Sequence, residues 1–308
     1  ENENDTRTAL QFGVHVNLTD SREPKVHGTF AFPKLQSNFK DIITVVEKVT
    51  KHFGIEKNFK ITEKSQTPMH SGLGSTTQLS LSAAAAVAKF GGIDASVHEL
   101  ARIIGRGGTS GIGVKAFESG GFILDGGHSF GRGQEKESFL PSSVSNARPA
   151  PILARYDFPW WFVCAIPQSE TVHGTTEVNL FQKYCPIPEC EVEKLSRLVL
   201  MKILPAVVEN DIKAFGEGVT RMQETGFKKI EVGLNKTAGQ LIEEFLKAGA
   251  YGAGMSSFGP AVFGIAEDER HALELKEKVG GYLSKKRIHH DLFVTKADNK
   301  GARIKISN

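Results

Sequence analysis

Cysteine is scarce in this chain. Cys164, Cys185 and Cys190 are an odd count with no paired short spacing, which excludes a disulfide framework and a structural zinc site and makes a reducing, cytoplasmic setting the expectation. Cys185 and Cys190 flank Pro186-Ile187-Pro188-Glu189 and read as a chance surface pair. Charge of one sign is lacking as well. Lys+Arg 38 against Asp+Glu 35 leaves +3, too little for a nucleic-acid surface, so any phosphate chemistry has to be local. No apolar run is long enough to span a bilayer and no signal-peptide pattern is visible, so neither a membrane nor a nucleic acid is an expected partner. What is left, 40% hydrophobic and 24% charged, is an ordinary globular composition long enough for one large domain or two modest ones.

What the chain does have is glycine gathered into three loops. The first is Ser71-Gly72-Leu73-Gly74-Ser75-Thr76-Thr77, followed by the apolar, alanine-rich run 79–90. Small residues let the backbone bend tightly, and the helix behind them aims unpaired amides and a partial positive charge into the bend. That is a cradle for a phosphate or pyrophosphate. The plainer reading is a loop in which Ser75 or Thr76 only caps a buried helix. The second loop runs from Gly105 through Arg106, Gly107, Gly108, Thr109, Ser110 and Gly111 to Glu118, and leads to Gly120-Gly121-Phe122 and Asp125-Gly126-Gly127-His128. The third is 249–260, with Gly252, Gly254, Ser256 and Ser257, ahead of the strand-like run 261–266. Three such loops beside helix or strand candidates point to one polyanionic substrate held from several sides.

Alternation of Phe12, Val14, Val16 and Leu18 predicts one strand within 5–20, and Pro33 opens a helix that carries Phe39, Ile42, Ile43, Val46, Val49 and Phe53 and stops at Gly54. A strand over 59–63, the buried helix 77–90, and a short helix 96–104 with Ser96 as N-cap and Glu99 completing a capping box come next. A strand over 122–124 follows the second loop. Residues 131–157 read as loop with Pro141, Pro149 and Pro151 before a strand over 152–156, and a domain boundary falls there, dividing the chain into 1–158 and 159–308. The second half reads as a strand over 160–166, helices over 176–181, 191–209, 211–225 and 237–247, a strand over 262–266, a helix over 269–283, and strands over 291–296 and 302–306. Trp160-Trp161-Phe162 is read as core in preference to interface. Strands and helices interleave without a regular repeat, the pattern of an α+β fold.

Gly72-Leu73-Gly74-Ser75 before an alanine-rich helix, with a late Gly252-Ala253-Gly254 loop before a strand, resembles the GHMP kinase superfamily. The resemblance implies a two-domain α+β fold, an N-terminal domain like the second domain of a ribosomal small-subunit protein and a ferredoxin-like C-terminal domain. The kinase acid, expected in a context like Ser-Gly-Ile-Asp, is missing, because this chain reads Ser110-Gly111-Ile112-Gly113. A glycine takes up no proton and holds no magnesium. The wider set, Arg106 to Gly113, Ala116-Phe117-Glu118, Gly120-Gly121-Phe122, Asp125 to His128 and Gly252 to Pro260, resembles one subgroup, the synthases of beta-ribofuranosylaminobenzene 5'-phosphate in tetrahydromethanopterin biosynthesis.

That resemblance implies a pentosyltransferase that condenses 5-phosphoribosyl 1-pyrophosphate with 4-aminobenzoate or 4-hydroxybenzoate and releases carbon dioxide and pyrophosphate, acting as a homodimer. Gly72, Gly74, Ser75, Thr76 and Thr77 would bind the pyrophosphate, with Gly107, Gly108, Thr109 and Ser110 of the second loop and Gly252, Gly254, Ser256 and Ser257 of the third lining the site. Arg106 or Lys115 would pair with phosphate or the benzoate carboxylate. Glu118 and Asp125 are candidates to hold Mg2+ on the pyrophosphate or to accept ribose hydroxyls. Lys115 and Glu118 also read as a solvated pair three apart on a helix, and Asp125 as a turn former. His70, His128 and His173 could contact phosphate or serve as structural histidines. Two other readings stand beside this one, an ATP-dependent small-molecule kinase and a phosphometabolite-binding protein without turnover.

Overall fold

The computed structural model describes residues 6–8, 15–20, 28–30, 39–56, 59–65, 71–107, 110–126, 151–168 and 175–304. Its N-terminal part holds strands β1 (Thr6–Thr8), β2 (His15–Asp20), β3 (Gly28–Phe30) and β4 (Phe59–Ser65) and helices α1 (Phe39–Phe53), α2 (Ser75–Phe90), α3 (Val97–Ile104) and α4 (Ile112–Ser119), then β5 (Phe122–Asp125) and β6 (Ile152–Tyr156). The single strand expected over 5–20 is two strands in different sheets. β1 pairs antiparallel with β5, whereas β2 pairs antiparallel with β4, which also takes β3 in parallel. Pro33 and residues 131–150 lie outside the described residues.

The alanines of α2 have a packing reason. Ala83, Ala84, Ala85 and Ala88 are buried with Leu81 and Val87 against Ile42, Val46 and Val49 of α1 and Leu100 and Ile104 of α3, so small side chains let neighbouring helices come close. As expected, α3 is capped by Ser96, whose Oγ accepts from Glu99 N at 3.1 Å.

The C-terminal part carries β7 (Trp161–Pro167), α5 (Thr175–Tyr184), α6 (Glu189–Leu198), α7 (Leu204–Glu209), α8 (Ile212–Met222), α9 (Gly226–Leu234), α10 (Lys236–Ala248), β8 (Ala253–Met255), β9 (Val262–Ala266), α11 (Glu269–Lys285) and β10 (His290–Lys296). One helix was expected over 191–209. A π-helical turn at Val199–Ile203 instead joins α6 to α7, and Ile203 packs where Gly218 of α8 leaves room. Four strands form one antiparallel sheet in the order β10-β7-β9-β8. Both faces of β7 are covered, which is why its sequence is apolar without alternation: Val163 and Ala165 pack with Leu241, Phe245, Leu275 and Val279 of α10 and α11, and Phe162 and Cys164 with Ile203, Phe215 and Val219. Trp160 and Phe162 are core, as expected. No strand forms over 302–304. Ala302 N donates to Phe117 O at 2.7 Å, and Asn299 both accepts from Phe158 N and donates to Phe158 O, so the tail is stitched onto the end of α4 and onto the link between β6 and β7.

β8 is a sheet edge, and α8 covers it. Thr220 Oγ1 accepts from Ala253 N at 3.1 Å, and Gln223 Oε1 accepts from Met255 N at 2.9 Å. This seam is closed by two glycines, because a Cβ on Gly216 would stand 2.0 Å from Tyr251 O and one on Gly252 would stand 2.3 Å from Gly216 O. Gly216→Ala should therefore lower stability by about 2 to 3 kcal/mol. Gly281→Ala, in α11 with open space around it, should raise it by about 0.5 to 1 kcal/mol. Urea unfolding of both variants checks the pair, and equal effects would contradict this picture of the seam.

All three cysteines are free thiols, with Cys164 buried and Cys190 exposed. Burial pushes the Cys164 thiol up to about 12, so at pH 8 only about one molecule in ten thousand carries the thiolate there. An alkylating reagent should modify Cys190 within minutes and leave Cys164 untouched until the protein is unfolded, as read by peptide mass spectrometry.

Candidate active site

The first loop enters α2 through Gly74, which stands in the left-handed region at φ 69° as N-cap. A glycine has no side chain to offer the first turn, and no side chain caps it from that position. The helix end is therefore shaped by backbone, not by Ser75 or Thr76 acting as cap. Ser75 and Thr77 are buried at 4% exposure each, and Thr76 is half-buried.

Gly72 decides where this loop goes. Its φ is +84°, and a Cβ there would lie 2.3 Å from the carbonyl oxygen of Ser256. The third loop thus rests directly on the first. Ser256 Oγ donates to Gly72 O at 2.7 Å, and Ala261 N donates to Ser71 O at 3.1 Å. Next to this contact Ser257, buried, holds φ +49°, a region that costs a non-glycine residue about 1 kcal/mol or more.

The second loop arrives from the other side. Gly113 of α4 packs on Thr77, where an added Cβ would meet Thr77 Cγ2 at 3.0 Å, and Gln78 Nε2 donates to Gly113 O at 2.9 Å. Asp125, 5% exposed at the end of β5, anchors this approach: its Oδ2 accepts from Ser110 Oγ at 3.1 Å and from Gly111 N at 3.0 Å. Ser110 Oγ in turn lies 3.3 Å from Ile112 N. Farther along α4, Lys115 Nζ and Glu118 Oε2 pair at 2.7 Å, with His98 Nε2 at 3.8 Å from Glu118 Oε1.

The structure therefore brings the first loop, with Gly72, Gly74, Ser75, Thr76 and Thr77, against the third, with Ser256 and Ser257, and Ser110 and Asp125 anchor the helix beside them. Arg106 and Gly107 lie just past the α3 C-cap Gly105, and Gly107 packs on Val114. Gly252 and Gly254 stand apart from the cradle. They are small because α8 presses on them, Gly252 against Gly216 and Gly254 against the Gln223 amide. His70, Gly108, Thr109, His128 and His173 lie outside the described residues.

Sequence reasoning missed what stands behind the third loop. Lys228 Nζ donates to Ser257 O at 2.7 Å and pairs with Glu231 Oε2 at 2.9 Å, the two side chains being 10% and 0% exposed. Beside them Phe227 stacks on Phe181 at 4.6 Å between centroids, and both approach Phe258 of the loop at 6.0 and 6.2 Å. The start of α9 is held by Glu191, which accepts from Gly226 N at 3.1 Å. Lys194 donating to it, and then Gly226 N, keep the Glu191 carboxyl below the usual carboxylate range. The one available signal was the Lys228 and Glu231 spacing of three, hidden because Gly226 and Gly233 break the helical pattern of α9.

The two carboxylates expected to hold magnesium both have protein partners. Glu118 is paired with Lys115, Asp125 is engaged by Ser110 and Gly111, and among the described residues no cluster of three His, Cys, Asp or Glu side chains could hold an ion.

Comparison with known proteins places the fold and the family. The family model described as GHMP kinases N terminal domain matches residues 40–121, and that described as GHMP kinases C terminal matches residues 203–285. Solved structures agree in fold. A homoserine kinase from Cytophaga hutchinsonii superposes with a TM-score of 0.69 at 18% identity, covering 96% of this chain and 89% of that one. The mevalonate kinase of L. major gives 0.70 at 11% identity, over 97% and 89%. The protein thus has the GHMP kinase fold, N- and C-terminal domains both present. Within that class it is 50% identical over 241 residues to the beta-ribofuranosylphenol 5'-phosphate synthase of Methanothermobacter thermautotrophicus, covering 77% of this chain and 72% of that protein. It is 45% identical over 238 residues to the protein of the same name from Methanocaldococcus jannaschii, over 77% and 71%. The chain belongs to this family of synthases, whose name carries a phenol where the sequence resemblance had pointed to an aminobenzene.

Asp125→Ala should cost about 2 to 3 kcal/mol, because the Ser110 hydroxyl and the Gly111 amide lose their buried acceptor. Lys115→Met, removing a half-exposed pair, should change stability by no more than about 0.5 kcal/mol. Chemical denaturation of the two variants reads the difference directly.

Proposed function

We propose that this protein condenses 5-phosphoribosyl 1-pyrophosphate with a para-substituted benzoate, releasing carbon dioxide and pyrophosphate and forming a C-riboside. The observation that carries the reading is a backbone-built cradle, at the end of α2, in a chain that has glycine at 113 where a kinase acid is expected and whose relatives are named as synthases. Because those names contain phenol, 4-hydroxybenzoate is the acceptor this reading favours over 4-aminobenzoate.

The chemistry asks for what these residues offer. The bond from ribose C1 to pyrophosphate breaks with its electron pair going to the pyrophosphate, and the ring carbon that bears the carboxylate bonds to C1. The bond to the carboxylate carbon then breaks, its electron pair restores the aromatic ring, and carbon dioxide leaves. No proton is removed from the ring, so no strong base is needed. In this reading the first-turn amides at Ser75, Thr76 and Thr77, with the Thr76 hydroxyl, receive the charge that grows on the departing pyrophosphate. Arg106 faces the second anion, since a guanidinium makes two-point bonds to a carboxylate or phosphate, while Lys115 is already paired with Glu118. Magnesium would accompany the pyrophosphate as its counterion.

The test is to incubate the protein with 5-phosphoribosyl 1-pyrophosphate, carboxyl-labelled 4-hydroxybenzoate and magnesium. Labelled carbon dioxide should appear in equal amount with pyrophosphate, and labelled ATP with a panel of alcohols should give no phosphoryl transfer. No release from either benzoate defeats the proposal. Thr76→Ala should weaken donor binding about tenfold, ~1.4 kcal/mol, and leave benzoate binding unchanged, whereas Ser75→Ala, which keeps the amide, should change donor binding little.

A further inference from the structure

A buried lysine and glutamate are an odd pair to find behind a glycine loop. Lys228 and Glu231 are 10% and 0% exposed, and taking both charges out of water costs enough that apolar residues of the same size would serve folding as well or better. Stability alone therefore does not account for them. What Lys228 has that an apolar side chain lacks is a bond to one particular atom, the carbonyl oxygen of Ser257 at 2.7 Å. Ser257 is the residue forced to φ +49°, and its neighbour Ser256 carries the contact with the first loop, Oγ to Gly72 O at 2.7 Å. The preceding pair on the same two segments is also in register: Phe227 meets Phe258 as Lys228 meets Ser257. Two adjacent contacts thus clamp the third loop from α9, one by ring packing and one by a charged donor.

We propose that Lys228, held by Glu231, is a positioning residue for the pyrophosphate site: it fixes the left-handed turn at Ser257, the turn sets Ser256 on Gly72, and Gly72 sets the cradle at the start of α2. The inference rests on the proposed reading for the identity of the anion, not for the clamp itself. Lys228 acts through the loop and touches no substrate.

The test uses the full chain. Lys228→Met alone would leave the Glu231 charge buried without its cation, so the informative variant is Lys228→Met with Glu231→Leu, which removes both charges and should unfold at a denaturant midpoint no lower than that of the unaltered protein. Calorimetry with 5-phosphoribosyl 1-pyrophosphate should then show at least tenfold weaker binding in the double variant. In turnover, KM for the donor should rise by a similar factor while KM for the benzoate stays put, and Lys228→Arg should restore donor binding to within about threefold. Hydrogen exchange at Ser256, Gly259 and Ala261, whose amides close the loop onto itself and onto Ser71, should be at least tenfold faster in the double variant. A double variant that folds, binds the donor normally and keeps these amides protected overturns the inference. If the unaltered protein itself does not bind the donor, the functional reading falls instead, and exchange alone still decides whether Lys228 positions the loop.

Discussion

The constraint on which this site depends is a contact between two pieces of backbone 184 residues apart in sequence, Gly72 against Ser256. The first lies in the segment matched by the N-terminal family model and the second in that matched by the C-terminal one, so the cradle belongs to neither half alone. No side chain at position 72 fits between them. Because the carbonyl of Ser256 stands where a Cβ on Gly72 would be, the loop can only come this close if that residue is glycine, and its φ of +84° asks for glycine a second time. Two residues on, Gly74 stands in the left-handed region and α2 starts.

The rest of the fold can be understood as what keeps that contact in place. The buried alanines of α2 let α1 and α3 grip it along its length, so the helix cannot tilt without opening a core. On the other side, β8 begins the third loop and is stapled by Thr220 and Gln223 of α8, whose own approach needs Gly216 and Gly252. Asp125 then fixes the start of α4 against the same point from a third direction. Buried polar groups carry this work, each with a named partner, which makes the site rigid at the cost of tolerating few substitutions.

How far the sequence could be read follows from the range of the interactions involved. α1, α3 and α10 were legible because periodicity and caps are local: Ser96 does cap α3, and the apolar positions of α1 do face the core. The first loop was legible for the same reason. What escaped depends on contacts made at a distance. The first turn of α4 reads as loop because Gly111 and Gly113 are poor helix formers, yet Asp125 and Gln78, remote in sequence, tie it down. α9 is obscured by Gly226 and Gly233. Gly252 and Gly254 read as glycines for close approach to a ligand or for a tight strand entry, whereas helix α8, about 33 residues earlier and in no visible relation to them, is the reason for their size. Aspartate 125 likewise offered a carboxylate beside glycines, a pattern equally suited to a ligand or an anchor, and only the positions of Ser110 and Gly111 distinguish the two.

Gly113 joins the architecture to the chemistry. In a kinase of this fold the resemblance implies an acid there, reaching toward the acceptor from the first turn of the helix that follows the second loop. Here α4 has come so close to α2 that a Cβ at 113 would already press on the Thr77 methyl at 3.0 Å, and Gln78 bonds to the Gly113 carbonyl across the same gap. A carboxylate at this position would press on Thr77, which would have to give way by a few tenths of an ångström. The absence of the acid and the closeness of the two helices are thus one feature seen twice.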